Sequence, residues 1–227
     1  MSQCEYSYST EMGEEFNCTN KAVKGEKYCI LHKNSEGRQH DKFKKELKKY
    51  IINNEKNNTI LIYGIKFDRT PYFLKYDKID KNIYFIDSEL PSKLELANKE
   101  FLGGIGFVET SIGVKLNVKN CVFNSKVIIR ECYFTDFIIE NIVVNRNNKF
   151  IIEDTEITNL KFSHNKIKNN LVIKDCKISL TKINDTYINN LTYLSHNNFE
   201  ISFKLINSEF ILTVFISASR SKNSFRS

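Results

Sequence analysis

Glycine and proline are scarce in this sequence, at eight and two among 227 residues. That argues against a linker-rich or disordered chain. It also argues against a β-sandwich, whose closely spaced turns draw on both residues. Long apolar runs are missing too. The longest, Phe210 to Ile216, falls far short of the roughly 18 residues of a membrane-spanning helix, and Met1–Glu15 has no apolar stretch of the kind an export signal needs. The expectation is a cytoplasmic protein. Its six cysteines should then stay reduced and serve as metal ligands or small core residues rather than disulfides. No nucleophile–base–orienter phrase or Gly-rich phosphate loop is present. Gly103-Gly104-x-Gly106 lacks a helix pattern after it and reads as a turn between repeats. No catalytic residue is assigned, and an enzyme is not expected.

Charge of one sign is not concentrated either. The net charge of +7 divides as 11 Lys/Arg against 9 Asp/Glu in residues 1–57 and 20 against 18 in residues 58–212. The last fifteen residues add Arg220, Lys222 and Arg226 with no acid. The middle of the chain is therefore close to neutral, and the basic excess lies partly at the two ends. Heavy use of Asn, Lys and Ile is read as the imprint of an AT-rich genome.

What the sequence does have is a repeat. An apolar-x-apolar pair is followed by a polar residue, a small residue, x, and a further apolar residue. Leu116-x-Val118…Asn120-Cys121-x-Phe123 is one copy; Val127-x-Ile129…Glu131-Cys132-x-Phe134, Leu171-x-Ile173…Asp175-Cys176-x-Ile178 and Phe203-x-Leu205…Asn207-Ser208-x-Phe210 are others. The last apolar position falls at Leu90, Phe101, Ile112, Phe123, Phe134, Val144, Ile157, Ile167, Ile178, Ile188, Phe199 and Phe210, nearly always ten or eleven residues apart. An earlier copy, Ile65-x-Phe67…Thr70-x-Tyr72, is separated from these by an insertion around Leu74–Lys81. Alternation within a pair marks a short strand with one buried face, and the jump of three between pairs marks a corner. Such units cannot bury themselves alone, but stacked coils share a continuous core.

This inward spacing of 0, +2, +5 and +7 resembles the pentapeptide-repeat family, in which four five-residue faces make one right-handed quadrilateral coil. The resemblance covers about Ile65–Phe210. It departs from the family in the extra residue of most copies and in large residues (Leu116, Phe137, Phe150, Leu171) where small ones are usual. The expected fold is mainly β: a right-handed parallel β-helix of about 21–22 residues per coil. A quadrilateral cross-section and a broader one both remain open. The expected divisions are a zinc-binding module at 1–37, a capping helix at 38–57, the solenoid at 58–212 and a basic tail at 213–227.

Stacking alternate copies aligns the polar residue before each small position into two columns. Asp87, Glu109, Glu131, Asp154, Asp175 and His196 form one, a ridge whose five carboxylates are a candidate docking surface for a basic partner or a cation. At about one strand spacing the like charges repel by roughly 1 kcal/mol each, and Lys126, Lys149 and Lys174 are the expected counter-charges. Asn98, Asn120, Asn141, His164, Asp185 and Asn207 form the other, an amide ladder. Cys121, Cys132 and Cys176 occupy the small inward position, as Ser88, Thr110, Thr155 and Thr186 do, and read as core residues. His164 and His196 read as structural corner residues.

Ahead of the repeats stands Cys4-x13-Cys18-x10-Cys29-x2-His32. Three thiolates and one imidazole complete a tetrahedral zinc site with no open position, the structural class. A segment with so small a core gains from zinc, whose binding contributes on the order of 10–16 kcal/mol in small metal-dependent modules. Modules of this C…C…YCxxH form are similar to those preceding pentapeptide-type repeats in proteins of methanogenic archaea, and to zinc modules that touch nucleic acid. Between head and repeats, Phe43, Leu47, Tyr50 and Ile51 fall on one face of an amphipathic helix with Asp41 as its expected N-cap. That face should cap the open first coil or pair with a second copy. The opposite face carries Lys42, Lys44, Lys45, Lys48 and Lys49, a candidate phosphate-binding stripe.

The expected function is a non-catalytic interaction scaffold whose solenoid docks on a partner protein or complex, with a structural zinc ion as its one cofactor. The alternative is a nucleic-acid or ribosome-associated binder that uses the head, the lysine helix and the basic tail. Some pentapeptide-repeat proteins imitate DNA with an acidic rod and occupy topoisomerases; the near-neutral middle of this chain speaks against that role.

Overall fold

The structure, a computed structural model, describes residues 2–10, 15–113, 115–195, 202–206 and 208–217. His196, Phe199 and Asn207, and the tail residues Arg220, Lys222 and Arg226, lie outside the described residues, so neither the lower end of each column nor the basic tail is assessed. No helix among the described residues is long and apolar enough to cross a membrane.

Residues from Thr59 onward wind into a parallel β-solenoid of about six turns. Each coil passes through four strand segments, and like segments stack in register. Thr59–Tyr63, Asn82–Ile86, Ile105–Val108, Val127–Arg130 and Phe150–Glu153 build one parallel wall. Lys93–Ala97, Lys115–Lys119 and the second half of Tyr133–Glu140 build the wall across the core from it. Short two-residue strands such as Glu89–Leu90 and Glu100–Phe101 make the remaining two. Coil partners lie 20 to 23 residues apart, from Leu171↔Leu191 to Ile60↔Ile83, so the repeat of ten or eleven is half a coil.

The inward positions hold the coils together. Leu90, Phe101, Ile112, Phe123, Phe134, Val144, Ile157, Ile167, Ile178 and Ile188 are all buried. Parallel register sets like residue on like: Phe85 stacks on Phe107 at 5.4 Å between centroids, and Phe101 on Phe123 at 4.9 Å. Such pairs add to the area they bury, in the preferred 4.5–7 Å range.

The corners explain the polar columns. Asp87, Glu109, Glu131, Asp154 and Asp175 have φ of 48–52°, and Asn98, Asn120, Asn141, His164 and Asp185 of 45–57°. Asn and Asp tolerate this left-handed conformation best, because their short polar side chains bond locally. The asparagines do form a ladder: Asn120 Nδ2 donates to Asn98 Oδ1 and Asn141 Nδ2 to Asn120 Oδ1, both at 2.9 Å. At several corners the small residue that follows turns a donor back into the core. Ser88, Thr110 and Cys132 donate to the carbonyls of Ile62, Phe85 and Phe107 in the coil before, and Cys121 and Cys176 do the same to Leu96 and Ile152. Burial pushes the Cys132 and Cys176 thiols up to about 12. They stay neutral and serve as packed donors.

Helix α1, His40–Asn54, covers the open end of the first coil. Its Phe43, Leu47, Tyr50 and Ile51 are buried, as the amphipathic pattern requires. Its cap lies two residues earlier than expected. Gln39 sits at the cap without a side-chain hydrogen bond, and Asp41 lies inside the first turn, where its charge complements the helix dipole. Two further details differ from the sequence reading. The insertion leaves the wall as a short 3-10 turn at Tyr72–Lys75, so Tyr72 is only half-buried. Gly106 is not in a turn: it lies in the strand Ile105–Val108, where the Tyr84 ring occupies the place a Cβ would take, 2.4 Å from it.

Candidate metal centre

The head is built by two local structures. Ser7–Ser9 pairs antiparallel with Glu15–Asn17, Tyr8 facing Phe16. The ladder continues outward through Cys18 N–H to the Tyr6 carbonyl and Cys4 N–H to the Asn20 carbonyl, which sets Cys4 and Cys18 side by side. The second local structure is a single helical turn closed by the N–H groups of His32 and Lys33 on the Cys29 carbonyl. Residues three apart on such a turn are neighbours, so Cys29 and His32 project together.

The four side chains Cys4, Cys18, Cys29 and His32 are buried, and their ligand atoms lie within 4.8 Å of one another. His32 Nδ1 is 3.5 Å from Cys4 Sγ and 3.3 Å from Cys29 Sγ, and Cys18 Sγ is 3.8 Å from Cys29 Sγ. Metal–sulfur bonds of about 2.3 Å and metal–nitrogen bonds of about 2.0–2.1 Å in a tetrahedron give edges of roughly 3.8 Å (S to S) and 3.6 Å (S to N). The three close separations are near those edges, and the quartet could hold a metal ion.

The surroundings orient the ligands. His32 Nε2 lies 3.0 Å from the carbonyl oxygen of Tyr63. A carbonyl only accepts, so Nε2 carries the proton and Nδ1 offers its lone pair to the sulfurs. The Tyr6 ring stacks on the imidazole at 4.1 Å. The Cys29 N–H donates to Cys4 Sγ at 3.2 Å, and Asn20 Nδ2 lies 4.0 Å from Cys29 Sγ. Three crowded thiols cannot ionise independently. The Cys18 thiol, donating to Cys29, is held protonated well above the usual thiol range. That same bond, outweighing burial and assisted by His32, pulls Cys29 down to about 3. Burial pushes Cys4 up. A bound dication would displace the remaining thiol protons.

Tyr63 belongs to the first strand of the solenoid, Thr59–Tyr63, so the His32 bond ties the metal quartet directly to the coil stack. The outer side of that strand is paired only at its start, where Glu55–Lys56 runs antiparallel to Thr59 and Ile60, and side chains fill the rest. The Tyr50 hydroxyl accepts from the Tyr63 N–H and donates to the Leu61 carbonyl, standing in for a missing neighbour strand. Further along, Arg38 Nη1 donates to the Lys66 carbonyl at 2.6 Å. The head also reaches the ridge. The Tyr6 hydroxyl donates to Asp87 Oδ2 at 2.9 Å and the Tyr8 hydroxyl to Glu109 Oε1 at 2.6 Å. Burial, then these carboxylates, push both phenols up. Gly64, at φ 61°, is required here because the Tyr6 ring fills the space of a Cβ.

The candidate residues thus divide by location. The metal quartet comes together. Asp87 and Glu109 take up the head's own tyrosines. Further down, Asp175 pairs with Lys174 at 3.4 Å. Asp154 is pushed up by burial and by neighbouring Glu153 and Asp175. His164 is an exposed corner residue paired with Asp185 at 3.6 Å. Lys42, Lys44, Lys45, Lys48 and Lys49 all face solvent on α1, with Lys49 paired to Glu46 and Lys48 set 5.9 Å over the Tyr72 ring. The sequence reading missed Tyr6, Tyr8 and Arg38, and placed Tyr50 on the buried helix face without its hydrogen-bonding role. Tyr6-x-Tyr8 beside Cys4 was a legible sign of a strand with one aromatic face, but nothing in the spacing named its carboxylate partners. Comparisons of the chain with protein-family models, curated proteins and solved structures found no match.

Proposed function

We propose that this protein is a non-catalytic interaction scaffold, a degenerate pentapeptide-repeat-type solenoid whose head holds one structural zinc ion. The observation that carries this reading is the double use of His32, with Nδ1 among three thiolates and Nε2 on the first solenoid strand. Four protein ligands leave a tetrahedral ion no position for substrate, so its work is mechanical. It fixes the head as the end-cap of the coil stack, and a rigid stack presents an even wall of side chains to a partner protein. Free thiols throughout suit a reducing compartment, which the cytoplasm provides. Elemental analysis of purified protein should find one zinc per chain, lost in Cys29→Ser. A tagged pull-down at low and high salt, with and without nuclease, should retain a protein partner under all four conditions; retention that ends with nuclease overturns the scaffold reading. A second reading, contact with RNA or a ribosome, is favoured by one observation, the solvent-facing lysines of α1.

A further inference from the structure

The segment that leaves the wall after Phe67 runs alongside α1, and between them lies a groove of about 280 Å³. Its floor is apolar and stiff: Phe43, Leu47 and Phe67 are buried core residues. Half-buried Tyr72 forms one side, held edge-on against Phe73 at 5.3 Å. Its rim is cationic. Lys44 and Lys75 are exposed, and Lys48, one turn beyond Lys44, stands over the Tyr72 ring. Of the two acids at the groove, Asp68 is already occupied by Arg38, His40 and Arg69 at 3.4–3.7 Å, which leaves Asp41 against the three lysines.

We propose that this groove binds a nucleotide unit of single-stranded RNA, its base against Tyr72 and its phosphates on Lys44, Lys48 and Lys75. An aromatic face flanked by lysines is how proteins hold unpaired strands: every base has a face to stack, and cations track the backbone. A duplex keeps its bases stacked internally and offers none to Tyr72. An extended peptide would need main-chain hydrogen bonds. The outer edge of Thr59–Tyr63 already spends its groups on the antiparallel Glu55–Lys56, on Tyr50 and on His32. The groove therefore offers one partly exposed ring, Tyr72, among ammonium groups, which suits a nucleotide. The lysine face continues past it through Lys45, Lys49 and Lys42, which gives the strand a path along the helix. This site is independent of the scaffold reading, since zinc content and protein capture are measured without RNA.

The test is fluorescence anisotropy of a fluorescein-labelled uridine octamer with the full zinc-loaded chain, at about 50 and 200 mM salt. Binding should weaken with salt, and the octamer should bind more tightly than an RNA duplex of equal charge. Lys44→Glu with Lys48→Glu should weaken binding at least tenfold. Tyr72→Ala should weaken it at least about fivefold, with Tyr72→Phe within twofold of wild type. A control variant carries Arg146→Glu and Lys166→Glu in the separate cationic groove on the solenoid wall and should bind as wild type does. Zinc content and thermal midpoint, measured in parallel, confirm that each variant is folded. Three results would overturn the proposal: no binding at low salt, equal loss in the control variant, or equal affinity for a polyglutamate peptide.

Discussion

At the scale of the residue, the corners set the terms. Each described ridge and ladder position adopts a left-handed backbone, a state that costs an ordinary L-residue roughly 1–2 kcal/mol. Asn120→Ala should therefore destabilise more than Asn120→Gly, by about 1 kcal/mol, because glycine lacks the Cβ that clashes. Urea denaturation of the two variants decides the point, and equal midpoints would mean the amide ladder alone selects asparagine. Glu153, the residue before one corner, gives a pH handle. Burial would raise its pKa, but Arg130 at 2.7 Å and Lys174 at 3.2 Å outweigh that and hold the carboxyl below its usual range. A depressed carboxylate contributes stability that is present above its ordinary pKa and lost as pH falls through the folded one. Glu153→Gln should accordingly flatten the decline in thermal midpoint below about pH 4.5, the ordinary value for this group.

At the scale of the element, the outer side of the first strand is closed by the short antiparallel Glu55–Lys56 at its start and by side chains beyond it. Tyr50→Phe removes a hydroxyl that serves one N–H and one carbonyl, and it should cost about 1–3 kcal/mol in chemical denaturation. Exposed Lys45→Ala should stay within about 0.5 kcal/mol. What the sequence made legible follows from this contrast. The coil elements repeat, so Leu116, Phe123 and Phe134 announce their burial through spacing, and the asparagine column announces its ladder. The metal quartet was legible because few other roles suit three cysteines and a histidine so close together. The cap of α1 was misplaced by two residues because Asp41 is as favourable inside the first turn as at the cap. The docking of Tyr6 and Tyr8 on Asp87 and Glu109 spans 81 and 101 residues, and a contact made once across such a distance leaves no period to read.

At the scale of the whole molecule, head and solenoid are coupled through a few named bonds. Removing the proposed metal with a chelator at neutral pH should free the head while leaving the coils stacked. Limited proteolysis should then cut within residues 1–37 first, with little loss of the far-ultraviolet β signal. If the β signal collapses with the metal, the coils depend on the head for their own stability. Because the ligand thiols shed protons on binding, metal affinity should rise with pH, and acid should mimic the chelator. Phe134→Asp addresses the stack itself. A charge placed among fully buried neighbours finds no partner, and the variant should fail to fold.

The recurring corner has a consequence for how such a chain can change length. Glu109 and Glu131 share one backbone state and are each followed by a donor that returns to the preceding coil, Thr110 in one case and Cys132 in the other. Removing residues 110–131 would splice Glu109 to Cys132 at equivalent points of successive coils, and every later strand would meet a partner of its own kind. The polypeptide is thus punctuated like a ruled tape. It can be shortened or lengthened by whole coils at little cost, whereas loss of a single residue within a coil turns side chains from the interior to the solvent.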